Sequence, residues 1–208
     1  MSRSRFADIA FTPSVRAVQE QQGSRAFYAR EEEGPAEAPV FGEAERVFIA
    51  ARDSFYMATV SETGWPYVQH RGGPAGFVRV LDDNTLGFPD FRGNKQYVSV
   101  GNLNEDDRVS IIFMDYINKR RLKLLGHVTL IGPDDTETLA RLALPDCRAK
   151  VERGFLIRAQ AFDWNCPQHI TERYTEAHIR RVIEPYQQRI AELEAKLAAA
   201  GSGEPANG

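Results

Sequence analysis

Three basic points recur in this chain where secondary structure should change. Arg71 is followed by Gly72-Gly73, Arg92-Gly93-Asn94-Lys95 lies between a strand pattern and a helix pattern, and Arg120-Arg121 opens another strand with Lys123 two residues on. Cationic side chains from separate strand ends can converge on a single anion. A guanidinium binds phosphate through two parallel hydrogen bonds, and lysine adds a compact charge. Asn94 and Lys95 also stand beside an expected helix start, whose free N–H groups favour phosphate. On spacing alone, solvated surface charge is the simpler reading.

Other chemistries lack their residues. The sequence has no Gly-x-Gly-x-x-Gly after a strand, no Walker loop and no Gly-x-Ser-x-Gly elbow. His70, His127, His169 and His178 are scattered. Cys166 and His169 have a spacing a metal could use, but two ligands do not make a site, so no metal is expected. No residue stands out as an obligatory acid or base, and catalytic residues stay unassigned.

These residues sit in a chain of 208 residues, 42% hydrophobic and 26% charged, enough for one sizeable core with helical additions. A net charge of -3 argues against nucleic acid as the partner of the whole chain. The absence of a long apolar run argues against a membrane span. Cys147 and Cys166 make no disulfide framework, and the first residues lack a secretory apolar stretch, so the cytoplasm is the expected compartment.

The elements that must hold the basic residues are mostly strands. Ser54–Val60 and Trp65–Arg71 flank a short Gly64 turn and read as a hairpin. Further strands are expected at 77–81, 85–88, 109–114, 121–131 and 156–164, with Asp82-Asp83-Asn84 as a tight turn. Helices are expected at 12–22, 43–52, 94–103 and 134–142. The short connections favour an antiparallel barrel or sandwich over a parallel sheet. Residues 1–42 read as an N-terminal helix and linker, 43–170 as the barrel domain, 171–200 as an amphipathic C-terminal helix kinked or restarted at Pro185, and 201–208 as a disordered tail.

The middle of the chain resembles the pyridoxamine 5′-phosphate oxidase superfamily of FMN-binding split barrels. Ala58-Thr-Val-Ser-Glu-Thr-Gly-Trp-Pro-Tyr-Val-Gln-His-Arg71 is similar to that family's opening hairpin, and Gly87-Phe-Pro-Asp-Phe-Arg-Gly-Asn-Lys95 to its strand and phosphate loop. Asn102 to Val109 resembles the step into the next strand, and Arg120 to Val128 the strand after it. Phe162 to His169 and the long last helix resemble a subgroup of predicted flavin-nucleotide-binding proteins.

The resemblance implies a mainly β fold with α: a six-stranded antiparallel split β-barrel with peripheral helices, forming a homodimer with FMN in clefts shared by both subunits. It places Arg71 near the phosphate and ribityl chain, Lys95 at the end of the phosphate loop, and Phe88, Pro89 and Asp90 alongside the flavin. Arg121 would reach the flavin from the partner subunit. Arg92 and Asn94 would assist at the phosphate, Gly72 at the reactive edge, and Trp164 at the ring. Where the oxidase itself has Ser-Arg-Lys, this chain has Gly93-Asn94-Lys95, and the oxidase's arginine-containing C-terminal substrate motif is absent. FMN binding therefore transfers better than oxidation of a pyridoxamine phosphate. The expected activity is FMN-dependent oxidoreduction of a small organic substrate, with a nicotinamide as candidate reductant. The alternatives are a non-catalytic flavin-binding or flavin-sensing protein, or a split barrel holding haem or a deazaflavin.

Overall fold

In a computed structural model, which describes residues 3–144, 147–164 and 167–201, alternation of apolar and polar residues organises the middle of the chain into one antiparallel sheet. The N-terminal part comprises β1 (Arg3–Ser4), α1 (Phe6–Ala10), α2 (Pro13–Gln21), α3 (Arg25–Tyr28), a 3₁₀ turn at Ala29–Glu32, β2 (Ala36–Glu37) and α4 (Glu43–Ala50). Then come β3 (Ser54–Val60), β4 (Pro66–Gly72), β5 (Arg79–Val80), β6 (Thr85–Phe91), α5 (Val98–Glu105), β7 (Arg108–Asp115), β8 (Arg120–Ile131), α6 (Thr136–Leu142), β9 (Val151–Trp164) and α7 (Glu176–Gly201).

The sheet order is β4-β3-β7-β8-β9-β6-β5, with every neighbouring pair antiparallel. Seven strands replace the six expected, because the two-residue β5 adds an edge: Arg79 pairs with Gly87 and Val80 with Leu86. Phe77 and Val78, expected in that strand, are buried in the core instead.

The two ends of the long-stranded sheet, β4 and β6, share no backbone ladder. They are bridged by side chains, with Arg71 Nη1 2.6 Å from Asp90 Oδ1. The sheet thus curls on itself without closing, which makes a split barrel. Its interior is filled by alternate residues of each strand. The Phe55 ring lies 5.2 Å from Phe113 and 5.1 Å from Phe88, and Phe88 stacks on Phe155 at 4.8 Å. Arg71 caps this aromatic column, its guanidinium 4.9 Å from the Phe155 centroid.

Two helices lock the barrel ends. Arg52, just after α4, pairs with Asp115 at the end of β7 and donates to the Met114 carbonyl. On α5, the buried Asn102 amide donates to Thr59 Oγ1 at 2.9 Å, and Ser99 donates to Gln69 Oε1 at 2.8 Å. α5 is therefore fixed to β3 and β4.

The expected helix at 94–103 begins four residues later, because Lys95 and Tyr97 adopt left-handed φ of 62° and 53° and hold the preceding segment as a loop. β9 begins five residues earlier than expected, since the charges and glycine of Val151-Glu-Arg-Gly154 mask its strand character. α7 runs through Pro185 as one helix. Its side chains are exposed there, so the carbonyl that proline leaves unpaired is open to water. Cys166 and residues 202–208 of the expected tail lie outside the described residues.

Candidate functional site

The barrel's open seam and the start of α5 enclose a pocket of about 70 Å³. β4 contributes Tyr67, Gln69 and Arg71, the face opposite the exposed Val68 and His70. β6 contributes Asp90, the loop contributes Asn94 and Lys95, and the first residues of α5 complete the wall. Arg71 and Lys95, expected to meet, do line one pocket.

The pocket is polar, lined by the cations Arg71 and Lys95 and by the carboxylates Asp90 and Glu152, with Arg92 and Arg153 paired to those carboxylates from beside it. Asp90 carries the charge of two arginines, with Arg71 at 2.6 Å and Arg153 Nε at 3.3 Å from its two oxygens. Arg153 stacks over the Tyr97 ring at 4.9 Å, and the Tyr97 hydroxyl donates to Glu152 at 3.1 Å. Burial pushes the Asp90 carboxyl above its ordinary range, against the opposing pull of Arg71 and Arg153. Burial likewise lowers Arg71, and Asp90 offsets part of that. The guanidinium stays cationic even so.

Two features leave this pocket unsatisfied. Arg71 Nε is buried and makes no hydrogen bond, and beside the pocket Arg153 Nε has only its ion pair with Asp90. Tyr97 gives α5 no side-chain cap, so the N–H groups of the first turn lack a side-chain acceptor. Lys95 and Tyr97 are left-handed, a conformation that also occurs in anion-binding backbone nests. A phosphate offers acceptor oxygens for the unpaired guanidinium and backbone donors, so the donors present fit the phosphate end of a flavin mononucleotide.

A pocket of this size is far below the ~300–1,000 Å³ of a cofactor cleft. It has room for a phosphate-sized group and not for a flavin ring system. The opposite, outer face of β4, β3 and β7 mixes apolar and polar residues: Tyr56 pairs with His70 on one side and Ile112 on the other, and Ala58 pairs with Val68 and Ser110. Val68 is 62% exposed there.

Of the other expected residues, Asn94 also lines the pocket, Arg92 is beside it, and the rest lie elsewhere in the protomer. Phe88 is buried in the aromatic column, and Pro89 is buried beside it opposite Gly154. Neither lines the pocket. Arg92 sits at its rim, 3.2 Å from Glu152. Asn94 Oδ1 accepts from the Gln96 N–H. Gly72 ends β4 against Ser54, and Arg121 pairs with Met114 on the face of β8 opposite Leu122, its Nε buried without a partner. Trp164 packs edge-on against Phe48 and donates to Glu45 at 2.7 Å, so in one protomer it anchors α4.

Sequence reading missed Gln69, Tyr97, Ser99, Glu152 and Arg153. Gln69 was legible as the residue two before Arg71 on the same strand face. Glu152 and Arg153 were hidden with the start of β9. Among the described residues no group of three or more His, Cys, Asp or Glu could hold a metal ion, and no helix is long and apolar enough to cross a membrane.

A seven-stranded unclosed antiparallel barrel with a polar seam pocket defines a split-barrel class, and sequence comparison gives the family. The family model described as pyridoxamine 5′-phosphate oxidase matches residues 41–154, more than half of the chain, which therefore belongs to this family. No curated protein matches significantly. Similar solved structures include a putative pyridoxamine 5′-phosphate oxidase from Lactobacillus delbrueckii, 18% identical over 61% of this chain and 96% of that one, with a TM-score of 0.47. HupZ of Group A Streptococcus is 14% identical over 64% and 99%, TM-score 0.46. A Clostridium acetobutylicum protein related to general stress protein 26 is 14% identical over 62% and 88%, TM-score 0.45.

Proposed function

We propose that this protein binds FMN with its phosphate in the seam pocket and its ring between two protomers, and that it acts as an FMN-dependent oxidoreductase on a small organic substrate. The observation that carries this reading is the pairing of Arg71 and Lys95 across one pocket with unsatisfied guanidinium and backbone donors. Family membership agrees with it.

In this reading Arg71 and Lys95 neutralise the phosphate, and the first turn of α5 donates to it. Arg92 and Arg153 supply outer positive charge. Arg121 of a second protomer, with its uncommitted Nε, is the residue offered to the ring. The bound flavin supplies hydride and electron transfer. The chain supplies position, a water-poor slot and fixed positive charge. The small pocket and the partly apolar outer face of β4, β3 and β7 support a homodimer that completes the cleft.

The test is the chromophore carried by freshly purified protein. Flavin absorbance bands with FMN released on denaturation support the proposal. A haem Soret band or a deazaflavin spectrum overturns it. With FMN bound, steady-state oxidation of a nicotinamide in the presence of an acceptor separates an oxidoreductase from a non-catalytic flavin carrier.

A further inference from the structure

The last helix presents an apolar stripe that its own barrel does not cover. Every side chain of α7 from 179 to 199 is exposed. Ile179, Ile183, Tyr186, Ile190, Leu193 and Leu197 follow one another at intervals of four, three, four, three and four residues, and each is 43–72% exposed. This is an unbroken heptad repeat with Ile183, Ile190 and Leu197 at a, and Ile179, Tyr186 and Leu193 at d, and Val182, at g and 51% exposed, is the one large apolar side chain beside the seam between 179 and 199. A single surface helix packing on a globular core shows a broader stripe. An alternating 3,4 seam is the signature of a helix that meets another helix along its length.

We propose that α7 pairs in parallel with α7 of a second copy of this chain as a short two-stranded coiled coil. Charge selects that occupant and its direction. In parallel register each g residue faces the e residue five positions on in the partner. Here that puts Arg189 opposite Glu194 on both sides of the seam and sets no like charges together. An antiparallel pairing of the same seam would bring the two Arg189 side chains face to face. Isoleucine at two of the a positions with leucine at a d position also favours two parallel strands.

Pro185 falls at c, on the outside of the pair, where its lost hydrogen bond faces solvent and leaves the seam intact. The segment before the helix is held to the barrel. Glu172 pairs with Lys119 at 2.8 Å, and the Arg173 guanidinium lies 4.8 Å from the Tyr116 ring, both in the β7–β8 turn. A parallel pair must run along the two-fold axis of a dimer. The inference thus adds a second contact to the homodimer proposed above, although the helix seam does not depend on flavin.

The test is oxidative cross-linking of the full-length chain with Cys147 and Cys166 replaced by serine. Leu193→Cys, at d, should give a disulfide-linked dimer at least about tenfold faster than Ala195→Cys, at the outer f position. Equal rates for the two, or no link at 193, overturn the pairing. Arg189→Glu should slow formation of the 193 link, and Arg189→Glu with Glu194→Arg should restore it. Slowing without restoration counts against the parallel register. Molar mass of the same samples keeps the two proposals apart: a dimer that does not link at 193 defeats the helix pair and leaves the flavin cleft standing.

Discussion

The Arg71–Asp90 pair is where fold and site meet. It is the side-chain bridge across the open seam, and it is also the floor of the pocket. That double use shapes what substitutions report. Arg71→Ala strips a buried carboxylate of its nearer partner and costs ~3–5 kcal/mol of stability, so lost flavin binding in that variant mixes two effects. Lys95 is exposed and already carries a Cβ at its left-handed position, so Lys95→Ala leaves the fold untouched. We expect Lys95→Ala to weaken FMN binding by ~1–3 kcal/mol in a fluorescence titration with no change in melting temperature. Asp90 gives a pH signature. Its folded-state value is raised by burial, so the unfolded chain releases this proton first as pH rises. Its contribution to stability is therefore greatest below the ordinary carboxylate value and is lost as pH climbs through the raised one. Asp90→Asn should remove that step from denaturation free energies measured across the acid range, and an unchanged profile would contradict it.

At the scale of elements, α5 and the strands under it decide whether the pocket exists. Asn102 and Thr59 are both buried and bonded to each other. Thr59→Val leaves the Asn102 amide without an acceptor and should cost ~1–3 kcal/mol in chemical denaturation. Gly126 sits at an irregularity between β8 and β9, where an added Cβ would meet the Arg158 carbonyl oxygen at 2.7 Å. Gly126→Ala should destabilise by ~1–3 kcal/mol, because backbone must move to admit it. The strands were readable from their period-two alternation, and Thr12 and Pro13 marked the start of α2, where Thr12 accepts from the Val15 N–H. The two errors that touch the site share one cause. The α5 boundary and the start of β9 are set by tertiary contacts, namely Tyr97 under Arg153 and Gly154 against Pro89 of β6, and neither contact leaves a periodic trace in the sequence. The family resemblance sets Phe88, Pro89 and Asp90 beside the flavin together, as one strand end. Phe88 and Asp90 share the inward face of β6, but Phe88 lies one pleat deeper, in the aromatic column, and Asp90 alone of the two lines the pocket.

For the whole molecule, the proposed function needs a second chain to finish the cleft, because the pocket in one protomer has room for a phosphate alone. Val68→Glu places a charge on the outer face of β4 without touching the pocket. It should shift the molar mass in light scattering toward the monomer and lower FMN affinity in parallel. A monomer that keeps full affinity would contradict the shared cleft. The basic residues of the phosphate end were legible from sequence because charge at strand ends is local information. The proposed ring end was not, since walls drawn from two chains leave no local pattern in one sequence.

The central claim is that the seam pocket recognises a phosphate, and comparing FMN with riboflavin by calorimetric titration tests it most directly. The two ligands share the ring and differ in the phosphate alone. We predict that FMN binds at least about tenfold more tightly, a difference of ~1.4 kcal/mol or more, and that Lys95→Ala narrows the gap by weakening FMN only. Equal affinities for the two ligands in the unsubstituted protein would contradict the account.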